Sequence, residues 1–324
     1  MKVLVIGYGS IGKRHVDNLL KLSQINQVMV CSNHLDSFRN HPKKEKLKLV
    51  SSLEELSSMM LNGRQFDFAI IANETFKHII TAELLANLCV HLFIEKPLSH
   101  SLKDAIYFKK LADKINIKIF IAYNYRFLGA IKFIKNHLGS GAIGSLYFAE
   151  IEVGQYLPFW RPLRDYRESY SARKEQGGGV ASDLSHEIDY MRYLFGDPVL
   201  WKIMKSKVSD LEINSEDIFR GLYRFSNGFL CSVHSDYIRH NKKRVINIVG
   251  SDGTLKCDFI KKYIKMQKNN GKIYLIEDAH LFDVDESYNN ELNHFIECIE
   301  KDQQPQITLD DAIETLKLIE SDYV

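Results

Sequence analysis

Short apolar runs alternate with helical patterns over the first 122 residues. Residues 2–6, 27–32, 47–50, 66–72, 90–95 and 117–122 read as strands. Residues 11–22, 75–88 and 101–115 carry helix-type spacing between them, and Ser52-Leu-Glu-Glu55 has the form of a capping box. The run from Phe66 to Ala72 is apolar throughout, as expected of a strand covered on both faces. Strand–helix alternation of this kind predicts a doubly wound parallel sheet.

The pattern changes at Tyr123. A helix over 127–137 precedes a long alternating run, 146–157. Residues 158–180 look irregular, and a helix is expected over 181–195. Seven strand candidates follow at short spacing: 199–207, 217–225, 228–237, 244–249, 254–258, 262–268 and 272–277. Helices over 287–301 and 309–321 end the chain, with Thr308-x-x-Asp311 capping the last. The fold class is therefore α/β. A doubly wound Rossmann domain, 1–122, precedes an α+β domain, 123–324, with a large, mostly antiparallel open sheet. At about 150 residues per domain, a chain of 324 residues also predicts two.

Composition excludes several classes. The net charge of +2 argues against nucleic acid as partner. Apolar runs of about five residues fall far short of the about 20 that a membrane helix needs. The apolar stretch after Met1-Lys2 ends at Gly7, too early for a signal peptide. The five cysteines are scattered and include no C-x-x-C, so neither a disulfide framework nor a zinc knuckle is expected. These features read as a cytoplasmic protein.

Chemistry begins at Gly7-Tyr8-Gly9-Ser10-Ile11-Gly12, between a strand and a helix. In a dinucleotide fingerprint the first glycine makes the turn, the second admits the pyrophosphate and the third lets helix and strand pack closely. The helix N-terminus at Ser10 and Ile11 offers N–H groups to phosphate. The end of the second strand, where an acidic residue would mark NAD, reads Cys31-Ser32-Asn33-His34. No carboxylate comes before Asp36, and Arg39, Lys43 and Lys44 follow, so the choice between NAD and NADP stays open.

Further motifs are Ala72-Asn73-Glu74-Thr75-x-x-His78, Glu95-Lys96-Pro97 and Tyr123-Asn124-Tyr125-Arg126-Phe127. The run Gly177-Gly178-Gly179-Val180-Ala181-Ser182-Asp183-Leu184-Ser185-His186-Glu187-Ile188-Asp189 completes the set. With the fingerprint, these motifs give the chain its resemblance to the glucose–fructose oxidoreductase / inositol dehydrogenase / rhizopine catabolism (Gfo/Idh/MocA) family. The resemblance implies a Rossmann domain, then an α/β domain whose open sheet joins copies into a homodimer or homotetramer. It implies NAD or NADP as cofactor, and sugars, inositols or nucleotide sugars as substrates. It places Ala72, Asn73, His78, Glu95 and Lys96 at the cofactor, beside Ser32 and Asn33, and assigns the same role to Trp160-Arg161. Asn124 and Arg126 line the sugar site.

The family commonly has an Asp followed four residues later by a His or Tyr. Here Asp183 and His186 are three apart, a spacing that still shares one helix face. His186 is the expected base, since an imidazole titrates near working pH. Lys96 is expected to hold the hydroxyl oxygen and stabilise alkoxide charge, and Asp183 to orient Lys96 or a sugar hydroxyl. No metal is expected. Arg164, Arg167 and Arg173 would suit an anionic substrate. The stretch 160–189 resembles surface-polysaccharide and unusual-sugar enzymes, including UDP-N-acetylhexosamine 3-dehydrogenases. Two other functions remain: a silent dinucleotide-binding sensor, and a redox-neutral enzyme with tightly held NAD.

Overall fold

Strands β1 (Lys2–Ile6), β2 (Gln27–Cys31), β3 (Leu47–Val50), β4 (Phe68–Ile71), β5 (His91–Glu95) and β6 (Ile119–Ala122) form one sheet, in the order β3-β2-β1-β4-β5-β6. Every neighbouring pair is parallel. β4 is buried at every residue, as its unbroken apolar run requires. The strand order reverses between β1 and β4, the switch point at which such sheets take ligands. Helices α1 (Ser10–Leu19), α2 (Leu53–Met60), α3 (His78–Asn87) and α4 (Leu102–Ala112) make the crossovers. The computed structural model describes residues 1–32, 44–60, 65–162 and 164–321.

The capping box before α2 forms in altered shape. Ser52 Oγ accepts the Glu55 N–H at 3.2 Å, but the Glu55 carboxylate takes the Ser51 N–H and hydroxyl instead.

The chain divides into two compact units. The first is Met1–Ala122 with Glu291–Ile313; the second is Tyr123–Asn290 with the segment from Glu314 onward. Residues 291–313 thus group with the parallel sheet, not with the expected domain 123–324. The reason lies in α8 (Val284–Glu300), which runs across the division. Its fully buried Phe295 meets Phe68, Phe93 and Phe120 at ring-centroid distances of 5.5, 5.7 and 5.9 Å. The Ile121 N–H also donates to Ile307 O at 3.4 Å.

The second unit carries β7 (Leu146–Gly154), β8 (Leu200–Ser206), β9 (Ile218–Arg224), β10 (Leu230–Asp236), β11 (Lys243–Gly250), β12 (Gly253–Asp258), β13 (Tyr263–Lys268) and β14 (Ile273–Ile276). Their order is β14-β13-β12-β11-β7-β10-β9-β8. All pairs are antiparallel except β7 with β10. Alternation along β7, β9 and β10 buries Ile151, Phe219 and Val233 and leaves Phe148, Leu222 and Leu230 exposed on the other face. Helices α5 (Gly129–Gly139), α6 (Val180–Asp183) and α7 (His186–Phe195) complete this unit, and α9 (Leu309–Glu320) ends the chain. Thr308 and Asp311 cap α9 reciprocally, at 3.1 and 3.3 Å.

The single helix expected over 181–195 is two helices. Leu184, at φ −103° and ψ 30°, leaves the helical region and caps α6, and α7 starts afresh at His186. Among the described residues no helix is long and apolar enough to cross a membrane.

If α8 belongs to the first unit's core, Phe295→Ala should cost about 3–5 kcal/mol of stability, read by chemical denaturation; a loss below about 1 kcal/mol would contradict that packing.

Candidate active site

At the end of β1 the chain turns so tightly that a side chain has no room. Gly7 adopts φ +92°, and its N–H donates to Cys31 O at 3.0 Å. A Cβ there would stand 2.6 Å from Ala72 O. At Gly12 it would stand 2.2 Å from Gly7 O, so helix and turn are in contact. At Gly9 it would meet nothing within 4 Å, leaving the backbone open to a ligand. The first intrahelical bond of α1 is Lys13 N–H to Gly9 O, which leaves the N–H groups of Ser10, Ile11 and Gly12 ahead of it. No side chain caps this terminus and no acidic residue stands in its first turn. An open backbone, donors and an uncancelled helix dipole fit a pyrophosphate.

Beside this turn, Asn73 donates its amide to Thr81 Oγ1 at 3.0 Å, while its Oδ1 is buried without a protein partner. Ser32 ends β2 with its N–H on Val50 O at 3.1 Å. Asn33 lies outside the described residues, as do Arg39 and Lys43.

Lys96 follows β5 directly and is partly buried, and its peptide bond to Pro97 is cis. Two buried histidines brace this turn. His15 Nε2 lies 2.7 Å from Glu95 Oε1, and Glu95 Oε2 accepts the Lys96 N–H at 3.3 Å. His78 Nδ1 lies 3.0 Å from Pro97 O and its Nε2 3.1 Å from Asn73 O, so one ring bridges the segments that follow β4 and β5. Burial lowers the His78 pKa, favouring the neutral ring. Of the residues expected at the cofactor, Glu95 and His78 therefore make internal contacts that position Lys96.

In the second unit, Asp183 ends α6 and is 5% exposed. Tyr237 donates its hydroxyl to Asp183 Oδ2 at 2.5 Å, and Tyr170 also hydrogen-bonds this carboxylate. Burial, aided by the Asp183 charge, pushes both phenols above their ordinary value, so both stay donors at neutral pH. Trp160 packs its ring edge-on to Tyr237, at 5.2 Å, and Arg161 sits over the Tyr170 ring at 5.6 Å. The Trp160-Arg161 pair thus backs the two tyrosines. The triple glycine fits this packing: a Cβ on Gly178 would stand 2.1 Å from Tyr170 O.

His186 starts α7 after α6 has ended at Asp183, so the two do not share one helix face, and the shared-face expectation fails for that reason. Its ring lies 4.8 Å from that of Tyr125 and 5.7 Å from that of Tyr123. Beneath it, Glu187 pairs with Arg244 at 2.8 Å, and Arg244 also reaches the Tyr125 hydroxyl.

Two expected sugar contacts are engaged inside the unit. Arg126 forms a buried two-point pair with Asp189, at 2.7 and 2.9 Å. Asn124 donates to Ser287 Oγ at 2.8 Å. Both brace the elements around His186. Arg167, expected to face an anionic substrate, is neutralised by Asp165 and Glu212 at 2.6 and 3.1 Å; Arg164 and Arg173 stay exposed. Sequence reasoning missed Tyr170 and Tyr237, because nothing in their spacing ties them to Asp183. Lys96 belongs to the first unit, and Asp183 and His186 to the second.

Two family descriptions match the chain. "Oxidoreductase family, NAD-binding Rossmann fold" matches residues 1–123, and "Oxidoreductase family, C-terminal alpha/beta domain" matches 135–323; both are Gfo/Idh/MocA domains. The chain is 25% identical to myo-inositol 2-dehydrogenase of Thermotoga maritima over 322 residues, 96% of this chain and 92% of that protein. It is 24% identical to D-apiose dehydrogenase of Paraburkholderia graminis over 281 residues, 83% and 73% of the two chains. The fold matches the WlbA dehydrogenase from Bordetella pertussis, solved with NADH and UDP-GlcNAcA. The TM-score is 0.82 at 18% identity, covering 98% of this chain and 93% of that one.

The glycine geometry separates binding from folding. Gly9→Ala should leave stability within about 0.5 kcal/mol and weaken dinucleotide affinity by about tenfold or more, equal to about 1.4 kcal/mol, in a calorimetric titration. Gly12→Ala should lose stability in the melting curve, since its Cβ meets backbone.

Proposed function

The chain belongs to the Gfo/Idh/MocA oxidoreductase family, and on that premise we propose that it transfers hydride between a nicotinamide cofactor and a sugar carbon bearing a hydroxyl or ketone. The Rossmann domain is of the NAD-binding type. Gly7, Gly9, Ser10, Ile11 and Gly12 would hold the pyrophosphate, with Asn73 beside them. The nicotinamide, when bound, accepts or gives the hydride.

The observation that carries this reading is the retained polar set: Lys96 braced by two histidines, and Asp183 held by two tyrosine hydroxyls beside His186. In oxidation, the hydroxyl proton passes to His186 while the C–H bond gives up its hydride and the C–O bond becomes a carbonyl. Lys96 Nζ stabilises the oxygen as charge develops on it. Asp183, fixed by Tyr170 and Tyr237, orients a neighbouring sugar hydroxyl.

For the substrate we favour a nucleotide sugar of the UDP-N-acetylhexosamine type. Support comes from the exposed Arg164 and Arg173, which suit a diphosphate, and from the nucleotide-sugar ligand of the WlbA dehydrogenase. Pairing of two copies through the sheet is supported by Phe148, Leu222 and Leu230 on its exposed face.

The test is nicotinamide absorbance with NAD or NADP and a panel of UDP-sugars, free sugars and inositols. One sugar class should reduce the cofactor, and Lys96→Ala and His186→Ala should each lower the rate about 10²–10⁴-fold. No reduction with any pair, alongside measured cofactor binding, would overturn the reading.

A further inference from the structure

The mechanism leaves several buried ionisable groups unused, and one of them has no partner on either oxygen. Glu291, on α8, is fully buried, and neither carboxyl oxygen has a hydrogen-bond partner. It stands in the first unit with His15 of α1 and Glu95 of β5. The His15 nitrogen and the two carboxyl oxygens lie within 4.8 Å of one another. Other ionisable groups near the trio are Lys96, whose N–H is on Glu95, and His78, which feels the Glu95 charge. The apolar wall is Phe93, edge-on to His15 at 5.1 Å.

Two carboxylates this close and away from water do not both ionise. Glu95 has His15 against one oxygen and the Lys96 N–H on the other. Glu291 has no donor on either oxygen, so the proton belongs there. Burial and then the Glu95 charge push its pKa well above the usual carboxylate range, in agreement with the geometry.

We propose that Glu291 is a positioning residue, held as a neutral carboxylic acid at neutral pH, that keeps the trio's negative charge on Glu95 at the root of the turn presenting Lys96. This rests on the proposed role of Lys96 for its functional meaning, but the protonation itself does not. Ionising Glu291 would set a second negative charge against Glu95 and loosen its hold on the turn.

The sign of the stability effect follows. Unfolded, Glu291 ionises near about pH 4.3; folded, it ionises higher. Between those values the unfolded state binds fewer protons, so stability falls as pH rises. Glu291→Gln keeps the shape and cannot ionise. Its melting temperature should fall less steeply than the wild type's as pH rises above about 5. Infrared spectra of the wild type at neutral pH should show a protonated-carboxyl stretch that moves in D2O and disappears in the variant. With an active sugar in hand, the alkaline limb of the rate–pH profile should move upward in Glu291→Gln.

Parallel melting-temperature slopes, or no carboxyl band lost in the variant, would overturn the proposal. So would a stoichiometric metal ion in the purified protein that stabilises the wild type and not Glu291→Gln. The infrared and melting readouts need no substrate, so failure of the sugar assay leaves them decisive. A shift in the stability slope without movement of the rate profile of an active enzyme would refute the positioning role alone.

Discussion

Two buried imidazoles hold the carboxyl edge of the parallel sheet, and the chemistry of the first unit depends on them. His78 reaches Asn73 O after β4 and Pro97 O after β5 with its two ring nitrogens. His15 ties α1 to the last residue of β5 through Glu95. The two contacts join α1, the Asn73 segment and the Lys96 turn in one network. A loop lysine would otherwise sample many positions, and the role proposed for Lys96 needs it held in nearly one. The same region shows why α8 from Glu291 onward groups with this unit. Phe295 fills the aromatic layer under β4, β5 and β6, and Glu291, one helical turn earlier, comes up beside Glu95.

The second unit solves the matching problem with phenols. Asp183 is a buried carboxylate that would be costly without donors. Tyr170 and Tyr237 supply them, arriving from a segment before the triple glycine and from just beyond β10. The shortened Asp183–His186 spacing coincides with the end of α6 and the start of α7. The two groups are therefore set by separate helices, each with its own bracing: tyrosines for Asp183, and aromatic rings with the Glu187–Arg244 pair for His186.

Much of this was legible in the chain. Strands of the parallel sheet announce themselves as apolar runs because both faces are covered, and the glycine fingerprint carries its own steric reason at Gly7 and Gly12. The antiparallel strands were legible through alternation and turn residues. Local patterns do not report long-range partners. The sequence does not show that Arg126 pairs with Asp189, or Arg167 with Asp165 and Glu212. The helix break at Leu184 was hidden because Ala181 to Phe195 reads as one continuous pattern. Glu291 left a faint trace: it lies four residues before Phe295, an acidic residue in line with a core position.

The chemistry proposed for this fold is movement of a hydride between a sugar carbon and the nicotinamide. The direct measurement uses the active sugar deuterated at the oxidised carbon, with mass spectrometry of the cofactor after turnover. One deuterium should pass from that carbon to the nicotinamide. Turnover that leaves the nicotinamide unlabelled, with the deuterium retained in the sugar or lost to water, would contradict it.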